Sequence, residues 1–324
     1  MGSGGLQSDA VTTSSRVLML VNPSSGKGKA SVAAPSAVQR LQLRGHDVVQ
    51  VIGQDFDDAL ERLRTEMASG DVDAVVSCGG DGTVHLCLQA VAGSGVPFGM
   101  LPFGTGNDNA SLYGMPDDPV AAADIIIDAI EQKRFRTVDA GHAVSADGVA
   151  RYFLGVLSSG FDSMVNERAN TMTWPKGNAR YLMSILAELR TFKAVPYVMV
   201  LDAGLDTEVR EQKHGMLVAV GNGTQYGGGM QVCPGALVDD GLLSVTFLDE
   251  LSIPTFLRVF PTVYKGTHVE RPEVHEHSAT TVSLDAPGQV AYADGERIGP
   301  LPVEIRVVPG AVRLLVPVSG GSAT

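Results

Sequence analysis

Four short segments carry residue types suited to phosphate chemistry. GGDGT, Gly79 to Thr83, lies between an apolar run and a helix-like stretch. Glycines at such a junction let backbone N–H groups close on an anion, the helix start adds the positive end of its dipole, and the Thr83 hydroxyl can donate. Asp81, in the middle, would repel bare phosphate and makes sense where a cation bridges it to phosphate oxygens. The alternative is a glycine turn in which Asp81 caps the next helix. NPSSGKGK, Asn22 to Lys29, again sets glycines, hydroxyls and Lys27 after an apolar run, without the spacing of a Walker A loop. PFGTGND, Pro102 to Asp108, offers Thr105, Asn107 and Asp108, of which Asn107 or Asp108 could equally cap a short helix. YADGE sets Asp294 and Glu296 at i and i+2, on one side of the chain if it is extended there. Asp-Gly is also a common turn, but beside phosphate loops a carboxylate can take the proton of an acceptor hydroxyl.

These loops need a frame that brings them together. From residue 16 to about 135, apolar runs (Val17–Val21, Val48–Ile52, Ala74–Ser77, Phe98–Leu101) alternate with helix-like stretches, including Asp57–Met67, Val84–Ala92 and Asp117–Ile130. That alternation predicts a parallel sheet wrapped by helices. Ligands of such sheets bind outside the C-terminal strand ends, where the three glycine-rich loops would meet. Beyond about residue 137 the pattern becomes one of β-hairpins: Val195–Leu201, Met216–Val220, Leu242–Phe247 and Thr280–Leu284, then Val303–Val308 joined by Pro309-Gly310 to Ala311–Val316. An antiparallel sheet or sandwich is expected, with one helix over Asn178–Phe192; the only tryptophan, Trp174, sits either in a mobile loop or packed in the fold. The expected division is a tail over 1–15, an α/β domain over 16–137 to which a strand near 311–317 returns, and a β-rich domain over 138–310.

Composition narrows the function. The 324 residues carry 24 Lys and Arg against 36 Asp and Glu, a net charge of −12 that argues against nucleic-acid binding through a basic surface. Between Asp9 and Asp47, however, Arg16, Lys27, Lys29, Arg40 and Arg44 face no acidic residue, an excess suited to phosphate or an anionic membrane surface. Arg40 and Arg44 also read as a solvated helix face. Three cysteines with no CxxC pair suggest a reducing compartment and no structural zinc. His275-x-His277, in an expected exposed loop, lacks further ligands for a metal. No apolar run reaches the ~18 residues of a membrane span, and the start lacks the features of a signal peptide, so a cytoplasmic location is expected.

In order and spacing, NPSSGKG, GGDGT, GTGND, NGTQYGGGMQVCPGALVDDG (Asn222–Gly241) and ADGE resemble the diacylglycerol kinase catalytic-domain family, which includes bacterial diacylglycerol kinases and the sphingosine and ceramide kinases. The resemblance runs from about residue 16 to 317. It implies an α/β nucleotide-binding domain like that of phosphofructokinase and NAD kinase, a C-terminal antiparallel β-sandwich that binds lipid, and an active site between them. It also implies ATP and Mg²⁺ as cofactors and a diacylglycerol-like membrane lipid as acceptor, reached by reversible binding at the membrane surface. A homodimer is left open. Asn22, Pro23, Ser24, Ser25, Gly26, the run Gly79, Gly80, Gly82, Thr83, Val84 and His85, and Thr105, Gly106 and Asn107 would contact ATP. Asp81, Lys27 and Asp108 would form a charge network around magnesium and phosphates, and Glu296, supported by Asp294, would be the general base. A second, structural magnesium would be held by Asp240 with backbone oxygens of Leu237 and Leu242.

Two positions depart from the family pattern. Leu86 stands where Glu is usual after GGDGT, and Asn109 where Phe usually follows GTGND. The first motivates a non-catalytic binding protein as a rival reading. GGDGT alone would also suit an NAD kinase, against which Asn222–Gly241 and ADGE speak. A sphingoid base or ceramide remains an alternative acceptor, because the β-rich half has no readable specificity code.

Overall fold

The computed structural model describes residues 14–172, 183–184, 187–188 and 193–317, apart from the side chains of 27–29, 31–33 and 169–170. The N-terminal tail to residue 13, the Trp174 loop, most of the Asn178–Phe192 helix and the Lys27 side chain fall outside these residues.

Four parallel strands build the first half: β1 (Arg16–Val21), β2 (Asp47–Val51), β3 (Ala74–Gly79) and β4 (Pro97–Pro102), in the order β4-β3-β1-β2. β3 is buried along its whole length and β1 after its first residue, as continuous apolar strands covered on both faces must be. The connecting helices are α1 (Lys29–Leu43), α2 (Phe56–Ala68) and α3 (Asp81–Val91), with α4 (Asp108–Leu112) and α5 (Pro119–Glu131) after β4. Asp55 caps α2 through Asp58 N–H, and Asp118 caps α5 ahead of Pro119. Arg40 holds Asp124 at 2.6 to 3.0 Å and Arg44 pairs with Glu131, so both tie α1 to α5.

Among the described residues eleven strands follow: β5 (Arg136–Ser145), β6 (Ala150–Phe153), β7 (Val156–Gly160), β8 (Val195–Leu201), β9 (Val209–Gly221), β10 (Leu243–Asp249), β11 (Val274–Ala279), β12 (Thr281–Asp285), β13 (Val290–Ala293), β14 (Glu296–Pro300) and β15 (Val303–Leu314). They form an antiparallel β-sandwich around a second apolar core that includes Phe153, Tyr197, Val220, Phe247 and Ile305. With them lie the helices α6 (Phe161–Thr171) and α7 (Ile253–Val259).

The structure departs from the sequence pattern in three places. The hairpin at Pro309-Gly310 is absent: β15 runs through it as one bent strand, bulged between Val308 and Val312 against β5, with Gly310 N–H donating to the buried Asp139 carboxylate at 2.8 Å. Its end pairs in parallel with β4, Leu314 against Phe98, so β15 joins both halves in one sheet. α6 is helical as far as Thr171, where a loop was expected from Met164. His275 and His277 lie on β11, not in a loop, and His275 bonds Asp249 at 2.8 Å.

Candidate active site

The loops after β1, β3 and β4 meet. Asn22 N–H donates to Cys78 O at 3.1 Å and Phe103 N–H to Gly79 O at 2.8 Å. A Cβ on Gly80 would stand 3.0 Å from Gly104 Cα. α3 begins at Asp81, three residues earlier than the apolar pattern predicts, so Asp81, Gly82 and Thr83 form its first turn. Its N-cap, Gly80, has no side chain to bond the free N–H groups, which remain available to an anion. From the other half comes the turn between β13 and β14, and the two halves enclose a cleft of about 410 Å³. That turn is a two-residue reversal with Asp294 and Gly295 both at positive φ (51° and 82°), the turn alternative for this segment, and Asp294 and Glu296 both line the cleft.

Asp294 is buried. Its oxygens accept from Leu154 N–H and Gly155 N–H, each at 2.9 Å, while burial, with the charge of Asp81, pushes it up to about 7. Asp81 is pushed up to about 6 by burial and by Asp108; its Oδ1 accepts from Asn109 N–H at 3.2 Å. Glu296 is raised by burial and by Asp81, and its Oε1 would lie 2.6 Å from a Cβ on Gly82, so only glycine lets this carboxylate settle against the first turn of α3. Gly106 plays the same part for two carboxylates: a Cβ there would stand 3.0 Å from Asp81 Oδ2 and 3.4 Å from Asp108 Oδ2. Asp108 also receives the N–H groups of Gly228 and Gly229 at 2.9 to 3.1 Å, which anchors the glycine-rich segment after β9 to the first half.

Two further cavities adjoin the cleft. One, of about 320 Å³, shares Gly82 and Glu296 with it and is walled by Asn22, Pro23, Ser24, Phe56, Thr83 and Leu86. The Thr83 hydroxyl is buried there without a partner among the described residues. The other, apolar and about 70 Å³, shares Asp162 and Tyr226 with the cleft and is walled chiefly by Phe161, Val165, Met230, Phe256, Val259 and Phe260.

The sequence-predicted residues therefore separate. Ser25, Gly26, Gly80, Asp81, Gly82, Thr105, Gly106, Asp108, Asp294 and Glu296 line the cleft, and Asn22, Pro23, Ser24 and Thr83 the cavity beside it. Val84 and His85 are buried in α3 and line neither; burial and Arg151 push His85 down to about 4, so it is neutral. Gly79 is buried behind Thr83, and Asn107 accepts from Gly104 N–H at 2.8 Å, shaping the loop from within. Asp240 accepts from Leu242 N–H at 3.0 Å in a loop pinned by Gly241 N–H on Asp139 at 2.7 Å; with Leu237 and Leu242 it lies outside all three cavities. Sequence reasoning missed Asn109, whose side chain bonds Asp294, and Asp162, which accepts from Ser158 Oγ at 2.9 Å. Asn109 carried a signal, its departure from the family pattern; Asp162 had none.

Five carboxylates, Asp81, Asp108, Asp162, Asp294 and Glu296, line the cleft, and none of its described lining residues is basic. Such a set attracts cations, and polyphosphate could enter only with its charge compensated. Among the described residues no three metal-ligating side chains converge as a closed cage. Asp81 and Asp108 on either side of Gly106 instead fit the manner in which Mg²⁺ is commonly bound, by one or two carboxylates with substrate phosphates completing the shell.

Comparison with known proteins places this geometry. Residues 16–143 match the diacylglycerol kinase catalytic domain, and 155–316 match the YegS C-terminal NAD kinase beta sandwich-like domain. The chain belongs to the diacylglycerol kinase family of lipid kinases, phosphotransferases that act on an alcohol acceptor. It is 44% identical over 306 residues to a diacylglycerol kinase of Mycobacterium tuberculosis, covering 94% of this chain and 96% of that protein. It is 27% identical over 304 residues to the Cronobacter sakazakii protein named "Probable lipid kinase YegS-like", covering 90% and 94%. A crystal structure of a diacylglycerol kinase from Bacillus anthracis str. Sterne shares the fold, with a TM-score of 0.65 at 20% identity over 94% of this chain and 98% of that one.

Proposed function

We propose that this protein transfers the γ-phosphoryl group of ATP to the hydroxyl of a membrane lipid, with diacylglycerol as acceptor and phosphatidic acid as product. One observation carries the reading: a polar, carboxylate-lined cleft adjoins an apolar cavity, with Asp162 and Tyr226 lining both. An acceptor with a polar head and a hydrocarbon tail fits that pair of surfaces; a nucleotide acceptor would leave the apolar one without a role. The name of the Mycobacterium tuberculosis relative supports diacylglycerol.

In this reading the nucleoside lies in the cavity walled by Asn22, Phe56, Thr83 and Leu86, and the phosphates cross Gly82 toward Gly104–Gly106. Asp81 and Asp108 would hold Mg²⁺, which supplies neutralisation of phosphate charge when bound. A second magnesium would use Asp240 with the carbonyls of Leu237 and Leu242, oxygen donors that suit a hard cation. Glu296 takes the proton of the lipid hydroxyl as its oxygen bonds to the γ-phosphorus. The bond from that phosphorus to the bridging oxygen breaks, and its electron pair leaves with ADP. The raised affinity of Glu296 for protons brings it nearer the pH at which a base works best.

The test is transfer of labelled γ-phosphate from ATP, with Mg²⁺, into mixed micelles holding diacylglycerol, sphingosine or ceramide, and into NAD in solution. Labelled phosphatidic acid is expected. Label only in a sphingolipid would move the acceptor, and label only in NAD would overturn the lipid reading.

A further inference from the structure

The segment that closes the apolar cavity is apolar on its outside as well. α7 and the 3₁₀ turn that continues it, Phe260–Lys265, place Phe256, Val259, Phe260 and Val263 against the cavity. On the opposite face Ile253, Leu257, Pro261 and Tyr264 recur at i, i+4, i+8 and i+11, and Ile253, Leu257 and Tyr264 are 45%, 52% and 50% exposed. A helix covering a core shows one apolar stripe and a polar outer face; this one has two.

Charge points to the occupant. From Leu251 to Val269 there is no Asp or Glu, in a chain with 36 acidic residues against 24 basic ones. Arg258 and Lys265 stand exposed in the same stretch and make no ion pair among the described residues. Exposed apolar side chains flanked by basic ones, in an otherwise acidic protein, match an anionic lipid surface, where each element gains something water does not give it. The cavity behind the segment agrees: about 70 Å³ is far less than one long acyl chain needs, so an acceptor can place only part of a tail there while the rest stays in the bilayer.

We infer that the outer face of residues 253–265 is the surface by which the protein docks on anionic membranes, setting the apolar cavity at the bilayer. The inference deepens the lipid-kinase reading and rests on it for the orientation of the acceptor.

The experiment separates the two. Binding of the full chain, without ATP, to vesicles of phosphatidylcholine alone and of phosphatidylcholine with phosphatidylglycerol is read by flotation. In parallel, turnover is read on a short-chain diacylglycerol dispersed in water. The wild type should float preferentially with the anionic vesicles. Ile253→Asp/Leu257→Asp, which removes two exposed apolar anchors, should weaken that binding at least about tenfold. Arg258→Glu/Lys265→Glu should weaken it on anionic vesicles only and more at low salt. Both variants should keep wild-type turnover on the dispersed acceptor, which shows that they fold. A wild type that does not float, or variants that float as well as the wild type, would overturn the docking face. Self-association abolished by the same substitutions, without any dependence on vesicles, would assign the face to a second copy. Vesicle binding with no phosphorylated acceptor would leave the docking face standing and remove the kinase reading.

Discussion

Asn109 joins two carboxylates of the cleft: its backbone N–H donates to Asp81 Oδ1 at 3.2 Å, and its side-chain amide bonds Asp294. The side-chain bond favours ionised Asp294 against the burial that pushes this residue up to about 7. Asn109→Leu removes that bond while leaving the backbone one to Asp81. Asp294 should then hold its proton to still higher pH, moving the acidic limb of the kcat profile upward by on the order of one unit. Turnover near pH 6.5 should fall several-fold and recover near pH 9. A pH profile superimposable on that of the wild type would deny Asn109 this positioning role.

The proposed role of Asp81 implies opposite effects on two forms of the nucleotide: it would help to hold the magnesium complex, and its charge would repel the metal-free phosphates. Asp81→Ala should therefore lower kcat by on the order of 10³ and weaken binding of Mg-ATP, yet leave metal-free ATP bound as well as or better than by the wild type. Titration calorimetry with and without chelator reads the two arms. Equal losses in both would mean that Asp81 supports the loop and does not meet the metal.

Glu296 lies against Gly82 in a cleft whose described lining holds no basic residue, and the proposed reading makes it the base for the acceptor hydroxyl. Glu296→Gln keeps its size and removes its basicity. The expected result is a fall in kcat of roughly 10² to 10⁴ with the affinity for Mg-ATP nearly unchanged. A large loss of ATP affinity would instead place Glu296 in nucleotide binding.

Much of this site was legible because it depends on local pattern. Continuous apolar runs ending in glycine-rich turns marked β1, β3 and β4, and for parallel strands the meeting of their loops follows from topology. What local pattern could not show was contact across the fold. The Gly228 and Gly229 N–H groups on Asp108, the Asn109 bridge and the place of Asp162 between two cavities each join segments whose proximity depends on how the sandwich closes on the α/β half. Pro309-Gly310 misled for a related reason. The pair reads as a turn, but the Asp139 carboxylate accepts Gly310 N–H and β5 continues alongside, so tertiary pairing absorbs it as a bulge.

The carboxylate cluster should also be visible in stability. Asp81 sits at about 6 when folded, against 3.8 for the ordinary side chain, so the folded protein binds more protons than the unfolded chain between these values. Stability from this group is therefore fully present below about pH 4, is lost as pH rises toward 6, and does not return above that. Asp81→Asn retains an oxygen for the Asn109 N–H and removes the charge facing Asp108, Asp294 and Glu296. At pH 8 the variant should be more stable than the wild type by on the order of 2 kcal/mol, a gain of several degrees in Tm, and the two should converge near pH 4. Added Mg²⁺ should raise the Tm of the wild type at pH 8 and move the variant much less, since the ion offsets the same repulsion that the substitution removes. Melting curves at the two pH values, with and without Mg²⁺, check this. A variant less stable than the wild type at pH 8 would show that the Asp81 charge is already compensated within the folded chain.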